Sequence, residues 1–292
     1  MVWQLQFQYL TVNIETLENL LKIFYWILVA IIGLCVGSFL NVIIYRLPRK
    51  INLAKPRSFC PNCDHKLAWY DNIPVFAYIG LGGKCRYCRK KITPRYMIVE
   101  LLTMGMWLWT YALFGQYNLP ICILSFIVIS ALIAIAFIDA ELYIIPDSLN
   151  LVILICGVIA TACQFNIKYI NGPVSVGQVD WVERLIGFGA VIVIFLIVSL
   201  IEAIIKKEII GGGDIKLFGA ISLLFGWRLL ALGIFFGAIL ALVIGFPVAK
   251  LTDKEGSEGG KILPFGPFLA MGFIISLFYG LPLISLYLGL AM

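Results

Sequence analysis

Two pairs of cysteines, "CPNC" (60–63) and "CRYC" (85–88), stand with 21 residues between them. Each C-x2-C pair presents two thiolates at one corner, so two pairs at this spacing form the tetrahedral four-thiolate zinc pattern. Paired disulfides are the rival reading, and a reducing compartment would disfavour them. His65, the single histidine, follows Cys63 by two residues and reads as a neighbour of the metal site rather than a ligand. With no open coordination position in view, the site reads as structural. Cys35, Cys122, Cys156 and Cys163 are scattered through apolar stretches and read as packing residues.

A second chemistry lies in the acids. Most of the 16 sit in loops or at the borders of apolar runs. Asp139 closes an apolar run in "AIAFIDAELYIIPDSLN", where the partial negative charge of a helix C-terminus disfavours a carboxylate. Asp147 follows Pro146 and opens the next run, a position that suits an N-cap. Asp214 ends "GGGD" at the start of another run, and a cap or first-turn role is open to it too. One glycine would serve a turn; Gly211, Gly212 and Gly213 together would let a second chain approach closely. Glu100, near the start of a further run, either pairs with Arg95 or lines a polar site facing the cysteine loop.

The elements that must position these residues are membrane helices. Hydrophobic residues make up 62% of the 292-residue chain and charged residues 13%, against averages of roughly 45–50% and 25% in soluble domains. A span needs about 20 mostly apolar residues. Eight stretches qualify, near 22–45, 96–115, 120–138, 147–163, 183–205, 212–226, 228–249 and 265–290. Backbone groups in lipid must be satisfied within their own element, so the spans are expected to be helices. The first 21 residues lack a basic start and a small-residue exit, so the first span is expected to be an anchor. Trp3, Phe7 and Tyr9 would sit near headgroups if the leading segment is an interfacial helix. The fold expected is a polytopic α-helical membrane protein of about eight transmembrane helices with a small, zinc-ribbon-like cytoplasmic loop domain. Residues 1–47 carry the first helix, 48–95 the four-cysteine loop and 96–292 the remaining membrane core. Between the cysteine pairs, "LAWYDNIPVFAYIGLGGK" reads as short strands closed by a Gly82-Gly83 turn.

Charge sets the direction. Of 22 Lys and Arg, 12 lie between Arg46 and Arg95, against two acids. Short basic loops stay cytoplasmic, so the cysteine loop is predicted inside and both termini outside. Alternation puts 139–146, 206–211 and 250–263 inside, and 116–119, 164–182 and 226–228 outside. The net charge of +6 then reflects topology and contact with anionic lipid, and calls for no nucleic acid. The stretch 252–261 reads as a flexible turn.

This topology gives the acids their chemistry. The third span runs outside to inside and ends at Asp139; the sixth runs inside to outside and begins at Asp214. The two carboxylates are expected at one depth near the cytoplasmic face, 75 residues apart in sequence. If they meet, they can share one proton, one activating water while the other donates to a scissile carbonyl. A proton-coupled membrane carrier with a regulatory zinc loop is the alternative.

Over nearly its full length the chain resembles the type IV prepilin leader peptidases, a family of GxGD-type intramembrane aspartyl proteases of bacteria. "GLCVGSFLNVIIYRLP" (33–48) is similar to the family's first span, "CPNC…CRYC" to its paired-cysteine loop and "ITPRYMIVELLT" (92–103) to the start of its second span. "IDAELYIIPD" and "GGGDIKL" resemble its two aspartate motifs, and "LPFGPFLA" (263–270) its last-span motif. The resemblance implies Asp139 and Asp214 as the catalytic pair. It implies cleavage of the basic leader of prepilins or pseudopilins after a glycine, at the cytoplasmic border of the bacterial inner membrane. Gly211, Gly212 and Gly213 would give room for the substrate backbone. It also implies N-methylation of the new terminal residue with S-adenosylmethionine, an activity associated with the cysteine loop. The methyl-donor site has no fingerprint here; Gly83 and Glu100 are the positions singled out.

Overall fold

The computed structural model describes residues 2–55, 58–115, 118–165, 179–206, 211–251, 264–287 and 289, with side chains described from residue 15 and not for 249–251. Outside them fall the turn at 252–261, most of the 164–182 and 206–211 connections, and the side chains of Trp3, Phe7 and Tyr9. The described residues are almost wholly helical. In chain order they form α1 (Val2–Arg46), α2 (Phe76–Gly80), α3 (Arg95–Thr110), α4 (Leu119–Leu142), α5 (Asp147–Ala162), α6 (Trp181–Ile205), α7 (Gly212–Leu240), α8 (Phe246–Leu251) and α9 (Gly266–Tyr287). Among the described residues six helices are long and apolar enough to cross a membrane, and α5 is a shorter apolar helix.

The chain divides into two compact units, one of residues 1–38 with 58–111 and one of 39–57 with 112–292. In the first, α1 and α3 lie antiparallel. Gly33 and Gly37, one helical turn apart, leave room for α3: a Cβ at Gly37 would come within 2.6 Å of the Glu100 backbone and one at Gly33 within 3.0 Å of Met104. Small residues at this spacing are how membrane helices approach closely. The Trp26 and Tyr111 rings meet edge-on at 5.2 Å, further along the same seam.

The second unit is a bundle around α7, which packs against α5, α6 and α9, while α4 packs against α5 and α9. Helix α7 is two helical arms joined at a kink, where Gly226 has the non-helical φ of 75° and ψ of 172°. Phe218 before this point and Gly233 after it both lie against Phe273 of α9. The Phe218 and Phe273 rings are 6.1 Å apart, and a Cβ on Gly233 would come within 2.3 Å of the Phe273 ring. Fifteen residues of straight helix would separate Phe218 and Gly233 by about 22 Å. The chain therefore doubles back at Gly226, giving the two apolar segments and the 226–228 turn expected from the sequence. Counting both arms of α7 and the short α5, eight apolar helical segments are present among the described residues. Only glycine adopts this φ without strain, and a Cβ there would also meet Val179 and Glu183. Glu183 clamps the turn: it takes a bidentate pair of hydrogen bonds from Arg228, at 2.7 and 2.5 Å.

The span between the cysteine pairs differs from expectation. In place of short strands it holds a 3-10 turn at Trp69–Asn72 and the short helix α2. Among the described residues of this loop, strand pairing is confined to isolated bridges, Phe59 with Lys66 and Lys84 with Lys91, one at the base of each knuckle. Pro74 supplies no backbone N–H for a ladder. The Gly82-Gly83 turn is present, both residues having positive φ.

Candidate functional site

The two cysteine pairs adopt one local structure. In the first, Cys60 N–H donates to the His65 carbonyl and Asp64 N–H returns to the Cys60 carbonyl; in the second, Cys85 donates to Lys90 and Arg89 to Cys85. The fifth residue of each, Asp64 and Arg89, has positive φ (53° and 59°). All four Sγ atoms lie within 4.8 Å of one another, and Cys60 Sγ is 3.9 Å from Cys88 Sγ. Sulfurs around a tetrahedral zinc at about 2.3 Å stand about 3.8 Å apart, so the donor set fits that ion. The Cys85 thiol is held down at about 7, chiefly by the Cys88 N–H, with burial opposing and the Tyr87 N–H assisting. His65 is not part of the cluster; its ring lies 3.6 Å from that of Tyr87.

Asp139 lies one turn from the end of α4 and is buried. The helix stops four residues later, where Tyr143 takes a left-handed conformation and donates its N–H to the Asp139 carbonyl. The side chain is served by another element: Asp139 Oδ2 accepts a 2.8 Å hydrogen bond from the N–H of Gly266, the first residue of α9. An unfavourable helix C-terminus is thus offset by a favourable helix N-terminus, where free N–H groups and the dipole receive an anion. A Cβ at residue 266 would come within 2.7 Å of the Asp139 carboxylate. Position 266 must therefore be glycine. It stands inside the "LPFGPFLA" motif, but nothing local marks it as a partner of Asp139.

Asp214 is the third residue of α7 and half-buried. Its own N–H closes the first turn onto the carbonyl of Gly211, which is the N-cap of the helix. The Asp139 and Asp214 carboxylates are close enough for the charge of one to act on the other. The three glycines before Asp214 do different work. A Cβ at Gly213 would press on Ile145 Cβ at 3.0 Å, one at Gly211 would meet Asp214 Oδ2 at 3.2 Å, and one at Gly212 would meet nothing within 4 Å. Gly213 is thus a packing residue, while Gly211 and Gly212 leave open space beside the carboxylate.

Helix α5 holds this turn. Asn150 Nδ2 donates to the Gly213 carbonyl at 3.2 Å, and its Oδ1 is buried without a partner. Asp147 is the first residue of α5 rather than its cap, which is Pro146, and its carboxylate pairs with Lys216 at 2.7 Å. Both partners of that pair are well exposed, so it contributes at most about 1 kcal/mol. Neither Asn150 nor Lys216 stood out in the sequence; both contacts join segments more than 60 residues apart.

Glu100 is buried and faces the loop, accepting from the Val75 N–H at 2.7 Å and from the Ser38 hydroxyl. Gly83 has φ 66° and lies beneath the Tyr78 hydroxyl.

Residues 31–114 match the bacterial peptidase A24 N-terminal domain, and residues 126–246 match the type IV leader peptidase family. A protein of Legionella pneumophila named prepilin leader peptidase/N-methyltransferase is 32% identical over 289 residues, covering 91% of this chain and 95% of its own length. Proteins of the same name from Burkholderia pseudomallei (32% identical, 86% of this chain, 84% of the relative) and Pseudomonas aeruginosa (31%, 89% and 92%) are similar at comparable extent. No solved structure matches. The two family models lie on the two parts of the chain that carry the cysteine cluster and the paired aspartates, and with them the chain belongs to the type IV leader peptidase family.

Proposed function

We propose that this chain cleaves the leader from prepilins or pseudopilins and N-methylates the new terminus. The observation that carries the peptidase reading is the convergence of Asp139 and Asp214 beside the open backbone at Gly211 and Gly212. One carboxylate is ionised and takes a proton from water, whose oxygen attacks the scissile carbonyl carbon. The other, protonated, donates to the carbonyl oxygen. The tetrahedral intermediate then collapses: the C–N bond breaks and the departing nitrogen takes up a proton. Gly266 holds Asp139, Asn150 holds the turn before Asp214, and the substrate backbone runs past Gly211 and Gly212.

Basic residues concentrated in the cysteine loop support a cytoplasmic position for that loop and for the aspartate end of the bundle, with both termini external, in the bacterial inner membrane. We assign a structural zinc ion to Cys60, Cys63, Cys85 and Cys88. S-Adenosylmethionine supplies an electrophilic methyl group to the new terminal amine. We assign its use to the loop 48–95, which carries Gly83 and is faced by Glu100, and peptide cleavage to 96–292. The carrier alternative finds no support in the names of these relatives.

Incubating membranes that contain the protein with a prepilin and the methyl donor tests both activities. The expected product lacks the leader and is heavier by one methyl group at its terminus. Prepilin left intact would overturn the peptidase reading, and cleaved but unmethylated product the methyltransferase reading.

A further inference from the structure

The segment between the cysteine pairs exposes large apolar side chains to an unusual degree. Trp69 is 76% exposed, Phe76 70% and Ile79 64%, with Tyr70 and Ile73 also exposed. Phe76 and Ile79, three apart in α2, share one helix face. Within a soluble module such a surface would favour aggregation.

The position of this surface along α3 is fixed by Val75. Its φ of 62° and ψ of −51°, with the Phe76 N–H donating to the Pro74 carbonyl at 2.6 Å, make a γ-turn of the strained, positive-φ kind. A β-branched residue is a poor occupant of that conformation. The turn points the Val75 N–H at the buried Glu100 carboxylate, 2.7 Å away. Glu100 lies five residues into α3, about 8 Å along the helix axis from its start. α2 is therefore strapped alongside the first turns of a membrane-spanning helix rather than standing clear of them. At the same level the outer face of α3 is itself apolar and exposed, at Ile98 and Leu101. In the flanking knuckles, Lys66, Lys84, Arg89, Lys90 and Lys91 are exposed, as is Arg86, which pairs with Asp71.

We propose that residues 69–80 are an interfacial element seated in the leaflet from which α3 enters the bilayer. Phe76 and Ile79 lie in the upper acyl region, Trp69 lies at headgroup level, and the basic rim binds anionic headgroups. The depth is the 5–10 Å typical of amphipathic interfacial segments, and paired aromatic and basic residues are the usual anchors at such a boundary. The partner is the lipid surface itself. The cysteine module is then held against the membrane by its middle as well as by its two helical ends.

Photocrosslinking of the full-length protein tests this. Phe76, Ile79 or, as an exposed reference, Asn62 is replaced with p-benzoylphenylalanine, and the protein is irradiated in nanodiscs of phosphatidylethanolamine and phosphatidylglycerol. Phospholipid-mass adducts at positions 76 and 79 are expected to exceed those at 62 by at least about tenfold. Equal adducts at all three positions, or crosslinks at 76 and 79 to a second protein chain, would overturn the proposal. Hydroxyl-radical footprinting of the wild-type protein in the same nanodiscs keeps the test open if a variant misfolds. Phe76 is expected to be protected at least about fivefold relative to Tyr87 after correction for intrinsic reactivity; full labelling of Phe76 would contradict its insertion.

Discussion

The N–H of Gly266 donates to the carboxylate of Asp139 at 2.8 Å, across 127 residues of chain. This bond joins the end of one helix to the start of another and fixes where the first aspartate points. A Cβ at residue 266 would collide with that carboxylate, and displacing a catalytic group by about 1 Å can cost about 10²-fold in rate. Gly266→Ala is expected to lower prepilin cleavage by about that factor while the protein still elutes as a folded species, as measured by a timed cleavage assay in detergent.

The glycines before Asp214 separate by variant. Gly213→Ala should impair cleavage through its clash with Ile145, and Gly213→Ala/Ile145→Ala should recover part of the loss. Gly212→Ala meets no neighbour, so it should fold normally and raise KM for prepilin more than it lowers kcat. Steady-state kinetics on the three proteins distinguish packing from substrate approach.

Asn150 acts through the backbone of Gly213 rather than on substrate. Losing one such hydrogen bond costs about 1 kcal/mol, so Asn150→Ala should slow cleavage by several-fold to tenfold. Asn150→Gln, which retains an amide donor, should recover part of the rate; equal activity of both variants and wild type would remove Asn150 from the positioning role.

How much of this was legible from sequence depends on range. The paired cysteines, the two aspartates and the reversal at 226–228 are written in local spacing and in the lengths of apolar runs. The contacts that hold Asp139 and the turn before Asp214 are not, because Gly266 and Asn150 act through pairings that no local pattern encodes. The interval "LAWYDNIPVFAYIG" misleads for a different reason. Its aromatic and β-branched residues favour strands, but Pro74 and the Val75–Glu100 contact turn it into a bent, helical segment beside α3.

Gly226 supplies a stability test remote from the chemistry. Its positive φ and the crowding by Val179 and Glu183 make Gly226→Ala costly by about 1–3 kcal/mol. A thermal-unfolding measurement in detergent should show a lowered midpoint, with cleavage by the surviving folded protein close to normal.

The cysteine module predicts its own stoichiometry. Elemental analysis of purified protein should find one zinc per chain, and Cys85→Ser should lose it, since three thiolates do not complete the tetrahedral set. Terminal mass of the product should then show cleavage without methylation. Retention of full metal content by Cys85→Ser would contradict the assignment.

Cleavage of prepilin by Asp139→Asn and Asp214→Asn, each compared with wild type in membranes at matched protein level, tests the central claim most directly. Two carboxyl groups sharing the work of one proton cannot be reduced to one, so both variants should leave the prepilin full-length even on prolonged incubation. Mature pilin formed at the wild-type rate by either variant would contradict a hydrolytic role for the pair.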